Sequence, residues 1–252
     1  MLTTQRKQLI LTRLQAQGQV IAKELSQELG SSEDTIRRDL RELAAEGKLQ
    51  RVHGGALPAS LAIGNTLART GIAHEDKIAL GKLGAGLIKP GQVVLLDGGT
   101  TALQLAQHLA PDLRATIVTH SPVIATALAM HAHIDIIMLG GKLFRHSMVN
   151  MGAQTVEAVS QLHVDLYVMG VTGVHPTSGL TTGDYEEAAL KRAFHARAAE
   201  TVVLASSEKL LTASAYAIAP LQALSALVIT THTSNETRRT FEALGIKLLL
   251  AA

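Results

Sequence analysis

The spacing of apolar residues divides the chain into two parts. Up to about residue 58, leucine and isoleucine recur at the three- and four-residue intervals of amphipathic helices. They form three stripes, made of Leu9, Ile10 and Leu14, then Leu25 and Leu29, then Ile36, Leu40 and Leu43. This pattern predicts three short helices.

Beyond residue 75 the pattern changes to short apolar runs separated by amphipathic segments. The runs lie at 93–97, 116–119, 135–139, 166–170, 201–205, 226–230 and 247–251. Short apolar strands alternating with helices are typical of a parallel sheet covered on both faces. The predicted fold class is α/β, with a helical unit at 3–58, a weakly patterned linker at 59–74 and an α/β domain at 75–252.

Charge is unevenly distributed along a chain whose formal net charge is only +2. Residues 1–57 hold nine Lys or Arg against seven Asp or Glu, whereas the remaining residues hold fourteen of each. All the excess positive charge therefore lies in the helical unit. Aromatic residues make up 2% of the chain, which disfavours a stacking platform for single-stranded nucleic acid.

Composition also disfavours several classes of protein. The chain has no cysteine, so it has no disulfide framework and no thiolate chemistry. The N-terminal residues mix charge with leucine and lack the apolar segment of a signal peptide. No apolar run reaches about 18 residues, so no membrane span is expected. We expect a cytoplasmic protein.

The segment SSEDTIRRDLRELAAEGKLQRVHGG, residues 31–55, has the order of a helix start, exposed arginines and a short hairpin. Gly30 suits the end of the preceding helix and Ser32 the N-cap of the next. The side opposite Ile36 then carries Thr35, Arg37, Arg38 and Arg41. Two helices joined by so short a turn form a helix-turn-helix, whose second helix enters the DNA major groove.

Residues 48–56 follow this helix, alternate polar and apolar side chains, and close on Gly54 and Gly55. They predict a β-wing that lies beside the DNA backbone. On spacing alone, a three-helix packing module with a solvated basic face is an equal alternative.

A second motif follows the first apolar run of the α/β domain, where VVLLD leads into GGTTALQLAQHL. A strand ending at Asp97, a Gly-Gly-Thr-Thr loop at 98–101 and a helix can cradle a phosphate, because backbone N–H groups and hydroxyls point at the anion. The motif is neither a P-loop nor a dinucleotide-binding motif, so an ordinary strand-to-helix turn remains the alternative.

Other polar loops follow predicted strands, at 119–121, 140–145, 170–173, 181–184 and 206–209. Ligands of open α/β sheets bind beyond the carboxyl ends of the strands, so these loops can converge. Lys209 and Arg145 would supply cations for a phosphate, and Asp97 and Asp184 could bind sugar hydroxyls.

Residues 3–57 resemble the N-terminal DNA-binding domain of the DeoR family of bacterial transcription regulators. The resemblance rests on QRKQLIL, AKELSQELG, SSEDTIRRDLREL and EGKLQRVHGGA, with Ser31 where the family usually has valine. It implies double-stranded operator DNA as a partner. The expected DNA contacts are Ser32, Thr35, Arg37, Arg38, Arg41, Arg51, His53 and Gly54.

Residues 75–230 are similar to the family's sugar-phosphate sensor domain, whose fold resembles phosphosugar isomerases. The matching pieces are KIA at 77–79, DGGTT, LGGKLFR, GLTTGDYEEAALKRAF and SSEK. The similarity implies a winged helix-turn-helix followed by a Rossmann-like, isomerase-like parallel sheet that binds an effector. The expected effector contacts are Asp97, Gly98, Gly99, Thr100, Thr101, His120, Ser121, Gly141, Arg145, Thr172, Asp184 and Lys209.

Four residues depart from the family pattern in this domain: His120, Thr172, Gly183 and Ser206. Thr172 and Ser206 stand where carboxylates are usual, and in related isomerases the carboxylates of those loops belong to the catalytic site. Proton abstraction beside a carbonyl needs a positioned base. We therefore expect no enzyme activity, with a sugar-phosphate isomerase carrying an appended helical domain as the alternative.

The remaining titratable residues predict no further chemistry. Histidines at 120, 131, 133, 146, 163 and 175 lack metal-ligand spacing, so neither a metal nor a cofactor is expected. Glutamates 186 and 187 should pair i,i+4 with the cations at 191 and 192 rather than form a catalytic group.

The predicted function is a DNA-binding repressor of carbohydrate-metabolism genes, released by a phosphorylated sugar or related metabolite. It should act as a homo-oligomer, a dimer or tetramer, on paired half-sites. A plain protein-interaction module is a third alternative and predicts no salt-dependent DNA binding.

Overall fold

The computed structural model describes residues 2–252, without the side chain of Leu67. Its first 58 residues contain helices α1 (Thr3–Gln17), α2 (Ala22–Glu28) and α3 (Glu33–Ala45), and strands β1 (Val20–Ile21), β2 (Leu49–Val52) and β3 (Gly55–Pro58). The strands form an antiparallel sheet in the order β1-β3-β2. The three predicted helices and the β-wing are confirmed.

The leucine and isoleucine stripes form the core of this unit. Ile10, Leu25, Ile36 and Leu40 are buried against one another. Each such side chain contributes about 1.5–3 kcal/mol by leaving water. Leu9 is 45% exposed, so its inclusion in the first stripe is wrong: it lies beside Ile10 on the helix and points to solvent.

Residues 59–74, the connector, are folded along the α/β domain. They contain a 3₁₀ helix (Leu61–Ile63) and the short helix α4 (Thr66–Arg69). The Thr66 N–H donates to the carbonyl of His146 at 3.0 Å, and His146 Nε2 bonds the carbonyl of Ile63 at 2.7 Å. Their hydrogen bonds go to distant residues, which explains why these positions show little local pattern.

The α/β domain begins with α5 (His74–Leu87), β4 (Val93–Leu96), α6 (Thr100–Gln107), β5 (Ala115–Thr119), α7 (Pro122–Leu128), β6 (Ile134–Met138), β7 (Lys142–Phe144) and β8 (Val149–Met151). It continues with α8 (Ala153–Ser160), β9 (Val164–Met169), β10 (Gly173–His175), β11 (Gly179–Thr182), α9 (Tyr185–His195) and β12 (Ala198–Leu204). It ends with β13 (Tyr216–Ala219), β14 (Ala226–Thr230), α10 (Asn235–Glu242) and β15 (Leu248–Ala251), and 3₁₀ turns lie at Ser207–Lys209 and Leu221–Ala223.

Seven strands form one parallel sheet in the order β15-β14-β12-β9-β4-β5-β6. Each of them corresponds to one predicted apolar run, so the α/β class and the parallel sheet are confirmed. The remaining strands form the β7–β8 hairpin and a small antiparallel sheet, β10-β11-β13, which the apolar pattern did not predict.

Two hydrophobic clusters cover the two faces of the sheet. One contains Leu80 of α5 and Leu105 of α6, and the other contains Phe194 of α9 and Phe241 of α10. Successive β4 residues alternate between the two clusters, as expected for a strand buried on both sides. No helix within the described chain is long and apolar enough to cross a membrane.

The chain reverses its direction across the sheet between β4 and β9. Strands β5 and β6 follow on one side of β4, whereas β9, β12, β14 and β15 lie on the other side. A crevice at such a switch point, beyond the carboxyl ends of the strands, is where open α/β sheets bind ligands. The Gly-Gly-Thr-Thr loop follows β4 directly at this position.

Candidate functional site

Helix α3 begins as the sequence predicts. Ser32 is the N-cap: its Oγ accepts a hydrogen bond from the Thr35 N–H at 3.3 Å and lies 2.8 Å from Thr35 Oγ1. Arg37, Arg38 and Arg41 are exposed. Arg37 Nη2 also forms a 2.6 Å ion pair with Glu33 one turn earlier, and such an exposed pair contributes little to stability.

The wing lies beside the start of α3. Its turn contains Gly54 with φ +78°, a conformation that favours glycine. Arg37 of α3 and the wing residues Arg51 and His53 line one groove of about 240 Å³. Of the eight predicted DNA contacts, seven are exposed and Thr35 is half-buried.

A buried ion pair holds α3 against α1. Arg6 Nε and Nη2 donate to the two carboxylate oxygens of Asp39 at 2.5 and 3.2 Å, and Arg6 and Asp39 are 6% and 0% exposed. The sequence does not reveal this pair, because a charged residue in a basic helix is expected to face solvent. It fixes the orientation of the arginine-bearing helix.

Replacing Asp39 with asparagine should destabilise the helix-turn-helix unit by about 3–5 kcal/mol, because the Arg6 charge stays buried without its partner. Hydrogen exchange of the amides of α1 and α3 in the full chain, together with its thermal unfolding, measures the loss of stability. The double variant Arg6→Met/Asp39→Leu should recover much of it, since it removes both charges. Equal stability of Asp39→Asn and wild type would contradict this role.

The Gly-Gly-Thr-Thr loop turns from β4 into α6. Gly99 has φ +111°, and a Cβ on Gly98 would lie 2.3 Å from Val149 Cγ1, so both positions need glycine. Helix α6 starts at Thr100 and directs its N-terminal N–H groups toward the cavity. Lys209 Nζ lies 3.4 Å from Thr101 Oγ1.

Asp97 is the buried support of this loop. One carboxylate oxygen accepts from the Gly98 N–H and His120 Nε2, both at 2.8 Å. The other accepts from Tyr167 Oη and the Gly170 N–H at 2.9 Å and from Lys191 Nζ at 2.6 Å. Burial alone would raise the pKa of Asp97, but the charge of Lys191 and the hydrogen bond from His120 hold it well below its usual range.

The structure gives Asp97 and His120 a different role from the predicted ligand contact. Five donors already surround the Asp97 carboxylate, so no lone pair is left for a sugar hydroxyl. His120 is fully buried, and its Nδ1 bonds the carbonyl of Asn150 at 2.8 Å. Both residues hold the loop from beneath.

The cavity brings together both predicted and unpredicted residues. Among the predicted effector contacts, it is lined by Asp97, Gly98, Gly99, Thr100, Thr101, Thr172 and Lys209. Five further charged residues, none of them a predicted contact, also line it: Arg69, Lys77, Glu187, Lys191 and Glu208. An adjoining cavity of about 340 Å³ shares Gly99 and Thr100 and includes Ser121.

Three other predicted effector contacts lie outside the cavity. Arg145 is exposed in the β7–β8 turn. Gly141 is a packing position, since a Cβ there would lie 2.3 Å from Thr155 Oγ1. Asp184 caps α9 by accepting from the Glu187 N–H at 2.9 Å and faces a neighbouring cavity. The predicted loops that line the cavity are thus those that follow β4, β9 and β12.

Lys209 is a buried cation of the cavity without a carboxylate partner. Within the described chain it lies in no ion pair, although it is only 7% exposed. Burial lowers its pKa to about 8. Lys191, by contrast, pairs with Asp97 at 2.6 Å and with Glu187 at 3.2 Å, the latter being a predicted i,i+4 pair. A buried, unpaired ammonium beside a helix N-terminus is suited to an anionic ligand.

A winged helix-turn-helix joined to a parallel-sheet domain with a polar cavity at its switch point is the architecture of a ligand-sensing transcription regulator. Two family models match the chain: a DeoR-like helix-turn-helix domain at residues 6–60 and a DeoR C terminal sensor domain at residues 72–231. The chain belongs to the DeoR family, and it is a DNA-binding transcription regulator.

Curated relatives cover most of the chain. The HTH-type transcriptional repressor GlcR of Bacillus subtilis is 32% identical over 87% of this chain and 85% of its own length. A putative aga operon transcriptional repressor of Escherichia coli O157:H7 is 28% identical over 98% and 94%. The glycerol-3-phosphate regulon repressor of Escherichia coli K12 is 33% identical over 75% and 76%.

Solved structures are similar only at low scores. The full-length sorbitol operon regulator SorC from Klebsiella pneumoniae has a TM-score of 0.38 and 14% identity, over 82% of this chain and 91% of that chain. Ribose 5-phosphate isomerase A from Methanocaldococcus jannaschii has a TM-score of 0.40 and 20% identity over 54% of each chain.

Proposed function

We propose that the protein represses carbohydrate-metabolism genes and leaves its operator when a phosphorylated sugar or related small anion binds at the Gly-Gly-Thr-Thr loop. The observation that carries the proposal is Lys209, a buried ammonium that lies in no ion pair within the described chain and is 3.4 Å from the Thr101 hydroxyl. A phosphate placed there would accept from Lys209, the threonine hydroxyls and the first N–H groups of α6.

The names of the relatives support this class of ligand. One is named a glycerol-3-phosphate regulon repressor, and another a putative aga operon transcriptional repressor. The adjoining cavity of about 340 Å³ offers room for a sugar or polyol attached to the phosphate. We propose that Thr100, Thr101 and Lys209 bind the phosphate.

On the DNA side, we propose that α3 enters the major groove and that the wing contacts the backbone. Arg37 and Arg38 lie in the second turn of α3, where guanidinium groups can contact guanine or phosphate.

We further propose a symmetric homo-oligomer, because paired half-sites match the symmetry of such assemblies.

A panel of pentose, hexose and triose phosphates, screened by thermal shift on the purified full chain, tests the ligand class. We expect at least one phosphorylated compound to raise the melting temperature and its unphosphorylated form to have no effect, since ligand bound to the folded state stabilises it. Stabilisation by the neutral sugar alone would contradict the phosphate site.

The isomerase alternative has one residue in its favour. Glu208 lines the cavity; its Oε1 accepts from Ser206 Oγ at 2.8 Å, and its Oε2 has no hydrogen-bond partner in the described chain. Glu208 was not among the predicted residues, because the carboxylate usual in this loop belongs two residues earlier, at the position of Ser206. Asp97 is unsuited as a base, because its pKa is held low and its oxygens are occupied.

We expect no aldose–ketose interconversion, because the chain matches a family of transcription regulators and the Thr172 hydroxyl is hydrogen-bonded within the protein. Incubation with pentose and hexose phosphates, followed by NMR, measures turnover. Turnover of about 1 s⁻¹, the low end for ordinary enzymes, would favour the enzyme, provided that Glu208→Gln abolishes it.

A further inference from the structure

The connector places a cation at the effector cavity. Arg69 is the last residue of α4 and lines the cavity together with Thr100, Thr101 and Lys209. Its Nη2 donates to Thr66 Oγ1 at 3.3 Å, whereas its Nε is buried and has no hydrogen-bond partner in the described chain. A buried guanidinium N–H without an acceptor, beside the Gly-Gly-Thr-Thr loop, is available to an anionic ligand.

The charges around Arg69 do not supply that contact. Carboxylates of Asp97, Glu187 and Glu208 also line the cavity, but none forms an ion pair with Arg69 within the described chain. Four cations, namely Arg69, Lys77, Lys191 and Lys209, face these three carboxylates. The lining of the cavity therefore carries one more cation than carboxylate.

Lys77 links the connector to Glu208 in the cavity. Its buried Nζ donates to the carbonyl of Arg69 at 2.7 Å and lies 3.9 Å from Glu208 Oε1. Glu208 precedes Lys209 in the turn at Ser207–Lys209. Arg69 and Lys209 are thus connected through Lys77 and Glu208, so a ligand that moves one of them would affect the other.

We propose that Arg69 binds the anionic group of the effector directly, and that this contact fixes the connector in the effector-bound state. The proposal rests on the proposed function and adds its route of regulation. The connector continues from β3 of the wing, and the Ala213 N–H donates to the carbonyl of Pro58 at 3.2 Å. Fixing the connector would restrict the positions that the helix-turn-helix units can take. Effector binding would then change operator affinity, because the effector binds one of these arrangements more tightly than the others.

Hydrogen exchange of the full chain with inorganic phosphate as the probe, at constant ionic strength, tests the contact. In wild type, phosphate should protect the amides of residues 97–102 and of the connector. Arg69→Ala should weaken phosphate binding about tenfold or more, the effect of losing a charge-assisted hydrogen bond. At saturating phosphate this variant should protect the loop but not the connector.

Two further variants keep the test independent of misfolding. Arg69→Lys retains the charge but lacks the planar guanidinium group, so its phosphate affinity should lie between those of wild type and Arg69→Ala. Lys82→Ala removes an exposed cation from α5 and should behave as wild type. The melting temperature of each variant without phosphate reports whether it is folded.

The outcomes separate this inference from the proposed function. If phosphate protects the loop in wild type and in Arg69→Ala alike, and the connector responds equally in both, Arg69 is not a ligand contact and only this inference fails. If phosphate protects neither segment in wild type, both the inference and the anion site are overturned.

Discussion

Replacing Lys209 with alanine should abolish the release of operator DNA at effector concentrations that release the wild type, and it should leave operator affinity without effector unchanged. Lys209 is buried in the cavity, in the α/β domain and remote in sequence from α3. Its loss removes a charge-assisted contact and should weaken effector binding by about 1.5–3 kcal/mol, roughly 10- to 150-fold. Fluorescence anisotropy of labelled operator, titrated with the effector, measures both quantities.

Effector binding should depend on pH through the protonation of Lys209. Burial lowers the pKa of Lys209 to about 8 in the free protein, and a bound phosphate favours the protonated form. Effector affinity should therefore be full below about pH 8 and fall above it, by at most about tenfold per pH unit. The phosphomonoester does not titrate in this range, because its second pKa is about 6.

Two matched variants isolate the contribution of Lys209. Lys209→Arg keeps its charge at high pH and should flatten the profile above pH 8. Lys82→Ala removes an exposed cation from the same domain and should leave release unchanged. Release of the Lys209→Ala variant at wild-type effector concentrations would show that the phosphate lies elsewhere.

The double variant Arg37→Ala/Arg38→Ala should lose most of its specific operator affinity. Both side chains are exposed on the second turn of α3, and Arg37 also faces the groove shared with the wing. An arginine that contacts a base contributes about 1–3 kcal/mol and relaxes specificity when removed. An arginine that contacts a phosphate weakens all sequences alike and lowers the salt dependence of binding.

Anisotropy titrations at several salt concentrations, on operator and on scrambled DNA, distinguish these two cases. The control variant Arg239→Ala/Lys247→Ala removes the same charge from exposed positions near the C-terminus and should keep wild-type affinity. Unchanged affinity in a folded Arg37→Ala/Arg38→Ala protein would rule out α3 as the recognition helix.

Most of the fold follows from the sequence, because local patterns encode it. Strands buried on both sides are continuous apolar runs, so all seven strands of the main sheet were predicted. The N-cap at Ser32 and the hairpin at Gly54 follow from side-chain and backbone preferences. The small sheet β10-β11-β13 was missed, since β10 and β11 contain glycine and polar residues and β13 is an apolar run of only four residues.

The site was less predictable, because it depends on partners distant in sequence. The loop at 98–101 and Lys209 carry a recognisable motif, and both line the cavity. Nothing local to Asp97 reveals that Lys191 and Tyr167 occupy its carboxylate. Arg69 lies in a weakly patterned segment, and only the fold of the connector brings it to the cavity.

The central claim is that one chain couples operator binding to a phosphorylated effector. The direct test is the affinity of the full chain for DNA upstream of its own gene, with and without each member of the sugar-phosphate panel, at fixed salt. We predict that one phosphorylated compound lowers operator affinity at least tenfold, a coupling of about 1.4 kcal/mol, and that its unphosphorylated form does not. Tight operator binding that no phosphorylated compound alters, or that the unphosphorylated sugar alters equally, would contradict the account.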